Sequence, residues 1–532
     1  MTPLPTRLDG ARLTGTGSKV AVTPHYLASQ AAIDLMARGG NAVDAAIAAN
    51  ATLGVVAPET CGIGGDLFAL VHTPDNPVPE ALNSSGRAGS GASAADLRAK
   101  GYSEIPTRSP WAVTVPGCVD GWVALAKRHG SLPLRDLLDR PIELAEDGFP
   151  VTPELSGALN RLQDILAGQA AADGLYPETL PPQPGTIIRR RRLGRTLDGI
   201  ATFGREAVYA GDVGEQLTAA TDGVLIPDDL ALDQAEWVNP ISIETMGWTG
   251  WTIPPNSQGY LALAAAWIFE QLDPPHDPED PRFVHAAVEA YRSVAWERSN
   301  LVADPSHTPV DQQELLDLDR LRPRLERLSM QKRADWPTPS AARGGTAYLC
   351  VRDSTGMGVS LIQSNFHGIG SGIGVGDSGF FLHDRGSGFT LRPGHPNELA
   401  PGKRPFHTLA PTLWTEDSSL ALLLGTRGGD FQPQTLLQFL TYLRWAGVDG
   451  PTAQQLPRWT TKDRFGNDSA VVAEPHLPAT AVGGLTGRGH TVEAAPGWMS
   501  GWGPVAAIVA ADNGVIGAAD PRVASTAALS DG

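Results

Sequence analysis

Apolar and polar positions change rhythm along the chain. Gly17–Thr23 (GSKVAVT) alternates towards Pro24 and predicts a short strand. An alanine-rich helical segment then runs to Arg38, with Gly39-Gly40 as its stop. Asn41 can cap a second helix that reaches about Val56, ahead of Pro58. The run PETCGIGGDLFALV places a glycine turn at Gly62–Gly65 before an apolar strand. Residues 110–160 predict two helices, the first within VPGCVDGWVALAKRHG; 171–188 is a proline-rich connection, and 195–222 is helical again. Around Ile253–Gln258 a strand ends in PPNSQG, and the helix YLALAAAWIFEQL begins. Pro305–Arg343 is charged and proline-punctuated, with one helical piece near Gln312–Arg327.

From Thr346 the pattern becomes that of strands. TAYLCVRD and GVSLIQS alternate on either side of a turn containing Gly356, a hairpin signal. Further strands are predicted at Gly379–His383, Leu420–Gly425, Val505–Ala511 and Gly514–Gly517, with a helix at Gln434–Leu443. Helices early and strands late, packed together, predict stacked sheets flanked by helices.

Composition narrows the function. A chain of 532 residues suggests two or more units or one large α/β body. Its 41 Lys+Arg against 58 Asp+Glu give a net charge of −17, which argues against a nucleic-acid partner. The basic cluster Arg189–Arg192 with Arg195 is expected to be a solvated helix entry. No stretch of 18 apolar residues and no apolar signal region in MTPLPTRLDG are visible, so no membrane association is expected. Cys61, Cys118 and Cys350 are odd in number and far apart, as buried thiols of a cytoplasmic protein would be.

Most motif matches fail on context. GIGGD lacks dinucleotide-loop spacing, and HGIGSGIGVG leads into a predicted strand rather than a helix. GDSG at Gly376–Gly379 matches a serine-protease loop without the disulfide-supported histidine segment that such enzymes need. No HExxH or clustered Cys/His set is present, so neither a metal nor a cofactor is expected. Arg343-Gly344-Gly345-Thr346 is different. Were the bond before Thr346 cut, that residue would carry a hydroxyl nucleophile and an α-amine of pKa near 7.7, a base usable at neutral pH. The tetrapeptide alone favours the plainer reading, a loop glycine pair followed by a β-preferring Thr.

Seven ordered blocks extend that reading: GGNAVDAAIAANATLGVVAPETCGIGGD, VPGCVDGWVALAKRHG, PIELAEDGFPV, GTAYLCVRDSTGMGVSLIQSN, PGKRPFHTLAPT, GTRGGDFQPQ and GAADPR. Through them the chain resembles the γ-glutamyltransferase (glutathione hydrolase) family of N-terminal-nucleophile hydrolases, over nearly its whole length. The resemblance implies a four-layer αββα sandwich and a proenzyme that cuts itself between Gly345 and Thr346. Fragments 1–345 and 346–532 would stay associated around one core, and a homodimer of processed units is left open. It assigns nucleophile and α-amine base to Thr346, the supporting hydroxyl to Ser364, and oxyanion-hole N–H groups to Gly428 and Gly429. The implied substrate is a γ-glutamyl or related small acyl amide, cleaved through an acyl-enzyme.

The substrate end departs from the family. Where γ-glutamyl enzymes hold the α-carboxylate with an Arg, NSSGRAGS places Ser85, with Arg87 two residues later. The Ser-Ser pair after KRP is replaced by His407 and Thr408, and the positions that meet the α-amino group hold Arg385 and Gly388. Asn365 sits one residue earlier than the family's asparagine. Asn365, Arg385, His407, Thr408 and Arg87 are therefore the candidate substrate-binding residues. Of these, Arg385, His407 and Arg87 suit an acid lacking the α-amino group, as in oxamate-type amidohydrolases and cephalosporin-type acylases of this family. An ion pair at a surface or subunit junction is the alternative for Arg385.

Overall fold

The computed structural model describes residues 14–177, 180–308, 310–337, 345–461, 470–511, 514–523 and 525–530. Two seven-stranded sheets face each other. The first runs in the order Thr526–Ser530, Lys19–Thr23, Gly345–Arg352, Gly358–Phe366, Asp66–His72, Glu80–Ser84, Glu236–Val238. The second runs Thr14–Gly17, Gly514–Ala519, Val505–Ala511, Ser419–Thr426, Thr412–Glu416, Trp248–Thr252, Ile241–Thr245. Residues from both sides of position 345 therefore share each sheet. The link Arg343-Gly344 that precedes the first central strand lies outside the described residues.

Strand alternation makes the four layers. In the central hairpin, Leu349, Val351 and Leu361 point to a core shared with helices Tyr26–Ala37, Ala42–Val56 and Leu134–Asp147. Their neighbours Tyr348, Cys350 and Ile362 point the other way, against Leu413, Leu423 and Ile508 of the second sheet. The far face of that sheet, with Leu422 and Leu424, packs on helices Tyr260–Gln271, Pro281–Ala295 and Gln432–Leu440. This is the αββα sandwich expected. The helix over Ala42–Val56 is buried along its whole length and starts on a capping box between Asn41 and Asp44.

Two expectations are corrected and one is met. Gly379–His383 is no strand; it contributes one isolated bridge, Gly374 to Phe381. The strand expected to end in PPNSQG does so, stopping at Thr252 because Pro254 and Pro255 lack the N–H a ladder needs. Its continuation instead exchanges bonds with the segment after KRP: His407 N donates to Asn256 O (2.8 Å) and Gln258 N to His407 O (3.1 Å). In the arginine cluster, Arg191 and Arg195 are exposed as expected, but Arg190 is buried. Its guanidinium donates to the carbonyls of Gly54, Val55 and Gly379 at 2.7, 3.0 and 2.9 Å, filling acceptors at the end of the buried helix.

Candidate active site

Thr346 follows Gly345 at the start of a central strand, where the ladder slips: Gly345 pairs Phe366, but Ala347 pairs Gln363. The bulge leaves Thr346 facing the inter-sheet layer, on the side of Tyr348. In this uncut chain its hydroxyl donates to Ser364 Oγ at 3.2 Å. Ser364 in turn donates to the Gly345 carbonyl at 2.5 Å and accepts from Phe366 N–H at 2.8 Å. A single hydroxyl thus links the candidate nucleophile to the carbonyl it would attack. Thr346 is fully buried.

The row continues across the sheet. Ser364 pairs Asp66 on the next strand, and Asp66 shares its face with Phe68, whose ring meets that of His407 at 4.8 Å. Asp66 Oδ1 accepts from Gly86 N–H at 2.8 Å, and Oδ2 lies 2.9 Å from His407 Nε2 and 3.5 Å from His383 Nδ1. Burial alone would raise the Asp66 pKa; the two histidines and the Gly86 N–H outweigh it and hold the carboxyl below its ordinary range. Burial, then the nearby Arg385, pushes His407 down to about 3, so its imidazole is neutral.

Arg385 lies 1% exposed, its guanidinium carbon 3.6 Å from the centre of the Phe366 ring. Nη2 reaches Thr408 Oγ1 at 3.5 Å, whereas Nη1 has no hydrogen-bond partner. Burial lowers its pKa to about 10, with Asp66 and Asp384 opposing, so it stays a cation at neutral pH. Among the described residues no carboxylate oxygen comes within ion-pair distance of it. The ion-pair alternative therefore fails within this chain.

Gly428 and Gly429 follow the second-sheet strand Ser419–Thr426. Gly428 has φ +121°, and a Cβ there would lie 2.5 Å from Trp502 O, so a side chain is excluded on both counts. Gln258 joins this turn to the substrate residues, its Nε2 donating to Gly429 O at 2.9 Å and Thr408 O at 2.8 Å. Arg298 supports it, with Nη1 3.4 Å from Gln258 Oε1 and Nη2 3.6 Å from Asp430 Oδ2.

Two candidates are placed elsewhere. Arg87 pairs with Glu236 at 3.3 Å, beside the Arg404–Glu236 pair. Asn365 follows Ser364 on its strand, so alternation turns it to the helix face. There its Nδ2 lies 3.6 Å from where a Gly62 Cβ would be, and its Oδ1 is unpartnered. Ser85 is buried in a polar net, donating to Asn83 Oδ1 (2.8 Å) and accepting from Asn256 Nδ2 (3.1 Å). Sequence reasoning passed over Asp66, His383 and Gln258. Asp66 stood in the quoted GIGGD turn and His383 two residues before Arg385, but nothing local marked either as sharing a cluster.

A four-layer αββα body with a hydroxyl residue on a central strand, its oxygen linked to the preceding carbonyl, defines the class of N-terminal-nucleophile hydrolases. The chain belongs to the gamma-glutamyltranspeptidase family, whose model matches residues 28–530. It is 34% identical over 513 residues to the glutathione hydrolase-like YwrD proenzyme of Bacillus subtilis (strain 168), covering 95% of this chain and 97% of that one. It is also 34% identical over 522 residues to the oxamate amidohydrolase proenzyme of Klebsiella pneumoniae, covering 96% and 98%. The solved cephalosporin acylase from Bacillus halodurans superposes with a TM-score of 0.91 at 33% identity, covering 100% of this chain and 99% of that chain. The protein is thus an enzyme, an autoprocessing amidohydrolase or acyltransferase that acts on small acyl amides.

Proposed function

We propose that Thr346 is the nucleophile, released by self-cleavage after Gly345, and that the substrate is the amide of a small carboxylic acid without an α-amino group. The observation that carries the first part is the Thr346–Ser364–Gly345 hydrogen-bond chain. Thr346 Oγ attacks the Gly345 carbonyl carbon, the C–N bond breaks, and the freed nitrogen takes the hydroxyl proton. Water then hydrolyses the ester, leaving fragments of 345 and 532 − 345 = 187 residues. They remain together because each sheet draws strands from both. In the processed enzyme the Thr346 amine serves as base, an acyl-enzyme forms, and the N–H groups of Gly428 and Gly429 receive the developing oxyanion. Buried free thiols at Cys61, Cys118 and Cys350 support a cytoplasmic setting.

Ser364→Ala removes the link between nucleophile and carbonyl. Self-cleavage, followed on denaturing gels after synthesis, is expected to slow by about tenfold or more, since a donor to a developing charge is lost. Cleavage at the wild-type rate would remove Ser364 from the mechanism. Gly428→Ala is expected to lower kcat by about 10²–10³-fold, as for loss of one oxyanion donor, because the turn must shift.

For the substrate, the buried Arg385 guanidinium with its open Nη1 favours a carboxylate. An α-ammonium would meet that cation. The acid that binds it in γ-glutamyl enzymes is replaced by Gly388, whose Cβ position lies 3.0 Å from Phe406 O, leaving little room for one. Oxamate, the substrate named in the Klebsiella relative, carries the carboxylate this cation would hold and no α-amino group. Steady-state hydrolysis of oxamate against a γ-glutamyl anilide tests the reading; turnover of the anilide alone overturns it.

A further inference from the structure

We propose that His407 is a specificity-determining hydrogen-bond acceptor, so that the pocket selects a carboxylate flanked by a neutral O–H or N–H donor over a bare carboxylate. This rests on the reading of Arg385 as the carboxylate anchor. His407 is fully buried, and its Nδ1 has no hydrogen-bond partner. The tautomer follows from Asp66. An ionised carboxylate only accepts, so His407 Nε2, 2.9 Å from Asp66 Oδ2, must carry the hydrogen. Nδ1 of the neutral ring is then left with a lone pair. His383 Nε2 meets Thr114 O at 2.9 Å, so its Nδ1, 3.5 Å from the same Asp66 oxygen, makes no hydrogen bond to it and leaves that oxygen to His407.

Arg385 Nη1 is the matching opposite: a buried donor without an acceptor, on a side chain whose charge acts on His407. His383 Nδ1 is unmet as well but faces Asp66; the unmet Arg385 donor and His407 acceptor call for an occupant of opposite pattern. A carboxylate oxygen answers Arg385, and an adjacent hydroxyl or amide N–H answers His407. An ammonium would also donate, but Arg385 disfavours it. The amide N–H of oxamate, next to its carboxylate, meets the requirement.

The test uses unreactive isosteres as competitive inhibitors of the purified, processed enzyme. Glycolate carries the vicinal O–H, methoxyacetate has it capped, and acetate lacks it. Glycolate is expected to bind roughly tenfold tighter than either, the size of one buried hydrogen bond left unmade. Asp66→Asn should erase that advantage. Gly86 N–H keeps the carboxamide oxygen at the Oδ1 position, so the amide N–H₂ faces His407 and moves the ring hydrogen to Nδ1. Equal affinities of the three acids in wild type, all weakened by Arg385→Gln, would overturn this proposal while leaving the carboxylate anchor standing. Affinities indifferent to Arg385→Gln would overturn the anchor and this proposal with it. The wild-type comparison decides the matter even if Asp66→Asn fails to fold.

Discussion

Thr346→Ala is expected to run as a single 532-residue chain on a denaturing gel, where the wild type gives fragments of 345 and 187 residues. No other group can stand in, since both the hydroxyl that attacks Gly345 and the hydroxyl that later attacks substrate are the same atom. Amide hydrolysis should fall by roughly 10⁶-fold, the order lost when an acyl-transfer nucleophile is removed. Thr346→Ser keeps hydroxyl and amine, and should still cleave itself, more slowly because the smaller side chain is held less firmly at the bulge. The folded chain should survive either change: Ser364 keeps its bonds to Gly345 O and Phe366 N, so stability should move by about 1 kcal/mol. Two fragments from Thr346→Ala would place the nucleophile elsewhere, and one band from wild type would show that the chain does not cut itself.

The parts of this molecule that were legible in its sequence are those written in local pattern. The hairpin around Gly356 and the capped helix from Asn41 follow from alternation and capping, and both formed as expected. Thr346 and Ser364 were assigned through the resemblance, and the hairpin they share is what turns their sequence spacing into contact. Arg190 and Asp66 were missed for the opposite reason. A guanidinium is solvated unless distant carbonyls converge on it, and those of Gly54 and Gly379 lie 136 and 189 residues away. Asp66 became part of the site only through His407, 341 residues later. Asn365 shows the cost of a single position: next to Ser364 in sequence, it faces the opposite layer, since successive strand residues alternate.

Arg385→Gln should raise KM for a carboxylate-bearing amide by about 10–100-fold, the range of about 1.5–3 kcal/mol for a hydrogen-bonded charge, with a smaller change in kcat. The asymmetry follows from where the charge sits. The carboxylate is present in ground and transition states alike, so its anchor contributes mainly uniform binding, whereas the developing oxyanion belongs to Gly428 and Gly429. Arg385→Lys should not restore affinity, because the three donors of an ammonium sit on one nitrogen and lack the planar fork whose Nη2 meets Thr408 while Nη1 stays open. Thermal stability should not fall with catalysis. In the empty site the wild-type guanidinium is buried with Nη1 unmet, a cost that Gln reduces by removing the charge. The discriminating measurement is the KM ratio between an amide with the carboxylate and its methyl ester. If both rise equally in Arg385→Gln, Arg385 acts by holding Phe366 and Thr408 in place. If only the carboxylate form rises, the cation meets substrate, and the loss of the acidic partner at Gly388 becomes the reason this pocket no longer needs an α-amino group.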